Sequence, residues 1–285
     1  MNFPFVFQAL YCEPLCLELS MFRSMHQVVM PRILGEAGGT LADLFAADPS
    51  SRRPSAPVAI VGPGAEVNHT AIIAISGVIA SGPSSLMDAC FGSFASPDAI
   101  AAQLVEARDH PDIRTIVLKI ASPGGRVSKV PELSALVASI AAMPDKTVYS
   151  FCDDRMASAA YWIGSQANEI YVTPSSITGS IGTYLALLDE TVKMEKKGEK
   201  LELFSSGTHK ALGTPGKALT DADREYLQGT VDKINGQFTG AVKAARPQVS
   251  KEALRDAKTY DGEDAVAQGL ADGVVGSWLE FLALL

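Results

Sequence analysis

Three short segments carry groups suited to acyl transfer. The first is RMASAAYW, Arg155 to Trp162, where Ser158 stands among alanines at the point where a strand pattern gives way to an apolar helix. A hydroxyl at such a turn, with small side chains around it, could attack a carbonyl, and the helix N-terminus would favour the negative charge that develops. The backbone N–H of Ala159 would be one donor to that oxyanion. The second segment is IASPGGRV, Ile120 to Val127. Glycine lets the backbone approach a ligand closely, so the N–H of Gly125 could be the other donor. The third is SSGTHKALGTPG, Ser205 to Gly216, which offers His209 and Lys210 as candidate bases. Adjacent side chains of an extended segment point opposite ways, so only one can face a site. Histidine is the usual base. A lysine serves only when neutral, and burial must then pull its pKa well below about 10.4. Each segment alone has a plainer reading: an N-capping serine, a strand-ending turn and a surface lysine.

These segments need elements to position them, and the sequence supplies a regular series. Ala71–Ile79, Ile113–Ile120, TVYSFC and EIYV read as apolar strands, with helical patterns between them. Ser96 is placed to cap the first helix with Pro97 at its first position, and Ile100, Leu104 and Val105 line one face. Strands alternating with helices of this length predict α/β crossover units and a largely parallel sheet covered on both faces. KLELF, before the lysine segment, is strand-like. LTDADREYLQGTVDKINGQFTGAV is a long amphipathic helix capped by Thr220, with Leu227, Val231, Ile234 and Phe238 as its stripe. The first 44 residues read as helical, and Asp48–Pro57 as a linker by composition. The expected division is a helical N-terminal extension and linker, 1–56, and a catalytic domain, 57–285.

Composition excludes several classes. The net charge of −8 and the absence of a basic run argue against nucleic-acid binding. The mixed cluster Lys193–Lys200 reads as a solvated helix end. The four cysteines and four histidines are scattered without metal-site spacing, so reduced thiols and no zinc are expected. The apolar N-terminus lacks a basic n-region and is interrupted by Glu13, so it fits a secretory signal poorly. No apolar run of spanning length occurs, so no membrane anchor is expected and the chain reads as cytoplasmic. No metal, nucleotide or other cofactor is called for.

Taken in order, SPGG, MASAAYW, ITGSIGTY, SGTHKALGTPG and YDGEDAVAQGLADGV resemble the S49 serine peptidases over roughly residues 70–276. The resemblance implies the Clp/crotonase fold with repeated ββα crossover units. It also implies a Ser158–Lys210 dyad, an oxyanion hole from Gly125 and Ala159, and Ser180 as the serine that orients the lysine. It further implies a homo-oligomeric ring or dome acting on unfolded or flexible polypeptides, with small or apolar residues beside the cut. The Ser/His/Asp triad of the related Clp-type proteases does not fit, since no histidine lies between Ser158 and His209. Many S49 members have SGGY where this chain has SAAY. That form and the missing anchor resemble the phage or prophage type, which processes capsid scaffold or portal proteins in the host cytoplasm or procapsid. Any scaffold would then be a separate protein. The alternatives are a cellular signal-peptide-peptidase-like protease, an acyl-CoA-binding enzyme of the same superfold, or a non-catalytic assembly protein using residues 1–56 as an arm.

Overall fold

The computed structural model of the chain describes residues 14–17, 59–61, 69–80 and 94–285. Strands β1 (Leu15–Leu17) and β2 (Ala59–Val61) precede β3 (His69–Ser76), β4 (Val78–Ile79) and β5 (Phe94–Ala95). Helix α1 (Pro97–Asp109) leads into β6 (Ile113–Ala121) and β7 (Gly124–Arg126). Helix α2 (Val130–Ala141) leads into β8 (Thr147–Cys152) and β9 (Arg155–Ala157), and α3 (Ala159–Gly164) into β10 (Glu169–Val172) and β11 (Ile177–Gly179). The chain continues with α4 (Thr191–Lys196), α5 (Asp221–Ala245), α6 (Lys251–Arg255), β12 (Thr259–Tyr260), α7 (Gly262–Ala267), β13 (Gly273–Val274) and α8 (Trp278–Leu282).

The frame is a six-stranded sheet in the order β13-β10-β8-β6-β3-β2. Only β2 runs antiparallel to its neighbour. The α/β class and parallel sheet expected from the sequence are thus present. Two smaller sheets, β1-β7-β4-β5 and β12-β11-β9, collect the short strands that leave the ends of the large one. Alternation along the strands sorts the core. Ile116, Leu118 and Ile120 of β6 join the main apolar cluster beneath the helices, while Val117 and Phe151 turn to the other face and pack against Phe281. The stacked rings of Phe151 and Phe281 lie 4.9 Å apart. Cover on that face is incomplete. In β3 buried Ala71, Ile73 and Ile75 alternate with exposed or half-buried residues, so the expectation of a strand covered on both sides fails there.

Local signals act as read for most elements. The Ser96 hydroxyl accepts from the Ala99 N–H at α1, and Thr220 and Asp223 form a capping box at α5. Val105, expected on the buried face of α1, is instead exposed, and Ala107 completes the buried stripe. Along α5 only the far end of the apolar stripe is fully covered. Phe238 is buried, its ring stacked on Trp162 at 4.7 Å, while Leu227, Val231 and Ile234 are half-buried. KLELF forms no strand; Leu203 and Phe204 lie exposed in irregular chain. The helical reading of residues 1–44 is corrected at Leu15–Leu17, which form a strand because β7 offers them an open edge. The rest of that segment and the 48–57 linker lie outside the described residues.

Candidate active site

Ser158 sits at a sharp joint between β9 and α3. Its φ of 56° lies in the left-handed region, where a side chain strains the backbone. The hydroxyl makes no capping bond to the helix, so the N-cap explanation for this serine does not hold. Two backbone bonds hold the joint: the Ser158 N–H donates to the Gly179 carbonyl at 2.8 Å, and the Ser158 carbonyl accepts from the Trp162 N–H at 2.9 Å. All six residues of α3 are buried. The small side chains of Ala159 and Ala160 let the helix start inside the core, and Trp162 locks its far side against Phe238. A strained serine on a strand–turn–helix joint is the geometry that presents a nucleophile.

The Pro-Gly-Gly turn packs against this joint. The Ser122 N–H donates to the Arg155 carbonyl at 2.7 Å, and the Ala157 N–H donates to the Ser122 carbonyl at 3.1 Å, so the turn and β9 move as one piece. The Gly124 N–H is taken by the Ser122 hydroxyl at 3.2 Å. Gly124 has φ of +93°, and a β-carbon on it would fall 2.3 Å from the Cys16 carbonyl oxygen and 2.9 Å from the Ala159 nitrogen. On Gly125 a β-carbon would fall 2.0 Å from the Ile79 carbonyl oxygen. Neither position has room for a side chain. The turn and the start of α3 therefore converge on one small space, as a pair of oxyanion donors requires.

The other predicted residues divide. Ser180 follows β11, which pairs with β9, and its N–H donates to the Lys258 carbonyl at 2.7 Å. It also has positive φ, 54°, and is buried close in sequence to Gly182, whose carbonyl is 3.5 Å from the Ser158 hydroxyl. Lys210 stands apart. It lies exposed in a run of turns rather than an extended segment, and among the described residues no hydrogen bond joins it to Ser158 or Ser180. Its neighbour His209 is turned toward α5. The His209 imidazole meets the buried Asp223 carboxylate at 2.8 Å and stacks on Tyr226 at 4.6 Å. Lys217 adds a second contact to Asp223 at 3.3 Å. The hydrogen bond from His209, then the Thr220 N–H, hold the Asp223 carboxyl well below the usual carboxylate range. His209 is thereby engaged as an anchor, and Lys210 is left at the surface.

One participant was not foreseen. Cys16 of β1 is fully buried near Ser158, with its thiol 3.2 Å from the Thr183 hydroxyl. Burial pushes this thiol up to about 12. A three-residue strand has no periodicity to reveal it, so the sequence held no usable signal.

Capsid assembly protease C of Escherichia phage lambda is 30% identical over 213 residues, 74% of this chain and 47% of that protein. Head-tail preconnector protein GP5 of Enterobacteria phage P21 is 24% identical over 290 residues, 97% of this chain and 56% of that protein. Protease 4 of Salmonella typhi is 30% identical over 179 residues, covering 62% of this chain and 29% of that protein. The chain spans about half the length, or less, of these relatives. Among the described residues no helix is long and apolar enough to cross a membrane. Residues 142–278, which hold Ser158, Ser180 and Lys210, match the family model for Peptidase family S49.

Proposed function

We propose that the chain is a serine endopeptidase of the Clp/crotonase fold, in which Ser158 attacks a peptide carbonyl and Lys210 is the base. The recurring order of strand, short strand and helix supports that fold, and the strained, uncapped joint at Ser158 is the observation that carries the chemistry. The N–H groups of Gly125 and Ala159 hold the oxyanion, Ser180 orients the lysine, and Lys210 returns the proton to the leaving amine. Water then frees the acyl group from Ser158.

An exposed Lys210 in one chain and a buried Ser158 fit a dyad completed by a second copy. The surroundings of Lys210 support an interface: Phe204 is 93% exposed on the irregular chain before it, and Val192 is 60% exposed on α4. Burial in that interface would supply the desolvation a neutral lysine needs. The active unit is then a homo-oligomer, and enclosure of its sites restricts it to flexible chains. The lambda and P21 relatives favour a phage-type role, the processing of capsid or scaffold proteins.

The test is cleavage of an unfolded protein and an apolar fluorogenic peptide by wild type, Ser158→Ala and Lys210→Ala, each checked for assembly. Wild type cuts and each variant is inactive; mixing the two inactive variants restores part of the activity, because one mixed interface carries both intact groups. If Lys210→Ala cuts as fast as wild type, the dyad is wrong. If wild type cuts nothing and no acylating reagent labels Ser158, the peptidase reading is wrong.

A further inference from the structure

We infer that Pro14–Leu17 occupies the groove that receives the polypeptide substrate, in substrate register, with Cys16 immediately before the bond to be cut. The N-terminal arm then competes with substrate. This rests on the peptidase reading above, and three observations support it.

The first is how the strand is held. β1 runs antiparallel to β7, the strand formed by the Pro-Gly-Gly turn. On its other edge the Leu15 N–H donates to the Tyr184 carbonyl at 2.9 Å, and the Tyr184 N–H donates to the Leu15 carbonyl at 3.0 Å. A segment clamped on both edges by backbone beside a nucleophile is bound as an added strand, the mode in which extended peptides are commonly recognised.

The second is register. Successive residues of a strand turn their N–H and C=O groups to opposite edges. Leu15 turns its pair to Tyr184, so Cys16 turns its pair toward Gly125, its partner in the ladder. The Cys16 carbonyl oxygen and the Ala159 nitrogen also crowd one point, the place a β-carbon on Gly124 would take. The carbonyl of Cys16 therefore faces the space between the two proposed oxyanion donors, where the carbonyl under attack must sit.

The third is the side chain. The Cys16 side chain is fully enclosed, its thiol against the Thr183 hydroxyl, and Leu15 and Leu17 on either side are buried as well. The pocket takes a small neutral side chain; a guanidinium there would lose its hydration without gaining an anionic partner.

The experiment uses the full chain as wild type, Ser158→Ala, Cys16→Arg and Leu15→Pro. The last removes the N–H that binds Tyr184 and leaves the pocket untouched. kcat/KM on a flexible fluorogenic peptide should rise about tenfold in both arm variants, as expected when an internal competitor is released. Intact mass should show any cut in the arm between Cys16 and Leu17, absent in Ser158→Ala. Equal rates in wild type and both folded arm variants would overturn the inference, as would a cut at another bond of the arm. A chain that cuts nothing fails the peptidase reading instead. Alkylation of Cys16, followed by peptide mass, decides the arm's seat independently: slow in wild type and fast in Leu15→Pro supports it, and equally fast in both overturns it.

Discussion

The surroundings of Ser158 and of Lys210 are built in opposite ways. Around Ser158 every residue from Met156 to Gly164 is buried, the turn of residues 122–125 is bonded to β9, and two glycine positions leave no space for a methyl group. Around Lys210 the chain makes turns, exposes Phe204, and is tied to the body through His209 and Lys217 on Asp223. On the proposed reading, one half of the chemistry is set by the folding of a single chain, and the other is displayed at the surface for a second copy to complete. Activity would then depend on assembly, since Ser158 would have no base until chains meet.

That contrast can be broken at its rigid end first. Ser158→Ala should lower peptide cleavage by on the order of 10⁴-fold or more while leaving the melting temperature near that of wild type, measured by steady-state assay and calorimetry. Next, Gly124→Ala should lose activity about 10²–10³-fold, because the methyl group would push aside the Ala159 N–H and fill the space where the carbonyl under attack would sit. Retention of full activity would mean the turn has no part in the chemistry. Phe238→Ala removes the ring stacked on Trp162 and should cost about 3–5 kcal/mol of stability in denaturant unfolding. If α3 is held by the core as described, activity should fall only as far as the chain unfolds.

The smallest effect belongs to the surface half. The Asp223 carboxyl is held below its usual range, first by the His209 hydrogen bond, so its stabilising contribution is complete above about pH 4. It is lost as the pH falls through the depressed folded value. Hydrogen exchange in residues 205–217 should therefore quicken in acid before exchange in α3 does, and Asp223→Asn should quicken it already at neutral pH. Unchanged exchange in that variant would show that His209 and Lys217 do not pin the segment.

What the sequence revealed follows the same division. TVYSFC and EIYV were legible because dense runs of β-branched and aromatic residues bounded by turns leave few alternatives, and both strands have the expected limits. Ser158 was legible as a residue, since a lone hydroxyl among alanines asks for a reason. Its positive φ was not, because the joint is imposed by β9, β11 and α3 together. KLELF misled because alternation marks a strand only where a neighbouring edge is available to pair with it. β1 escaped for the converse reason: three residues carry no period, and the open edge of β7 recruits them.

The backbone of Ser158 has a consequence for stability and descent. A residue with a β-carbon held at φ of 56° is a standing cost to the folded state, on the order of 1 kcal/mol, which glycine would remove. Ser158→Gly should melt higher than wild type and cut nothing. Selection for robustness alone would push this position toward glycine, and the proposed nucleophilic role is what would hold a serine there. A related chain on this fold that has become purely structural should betray the change at this one position before the rest of its core has drifted.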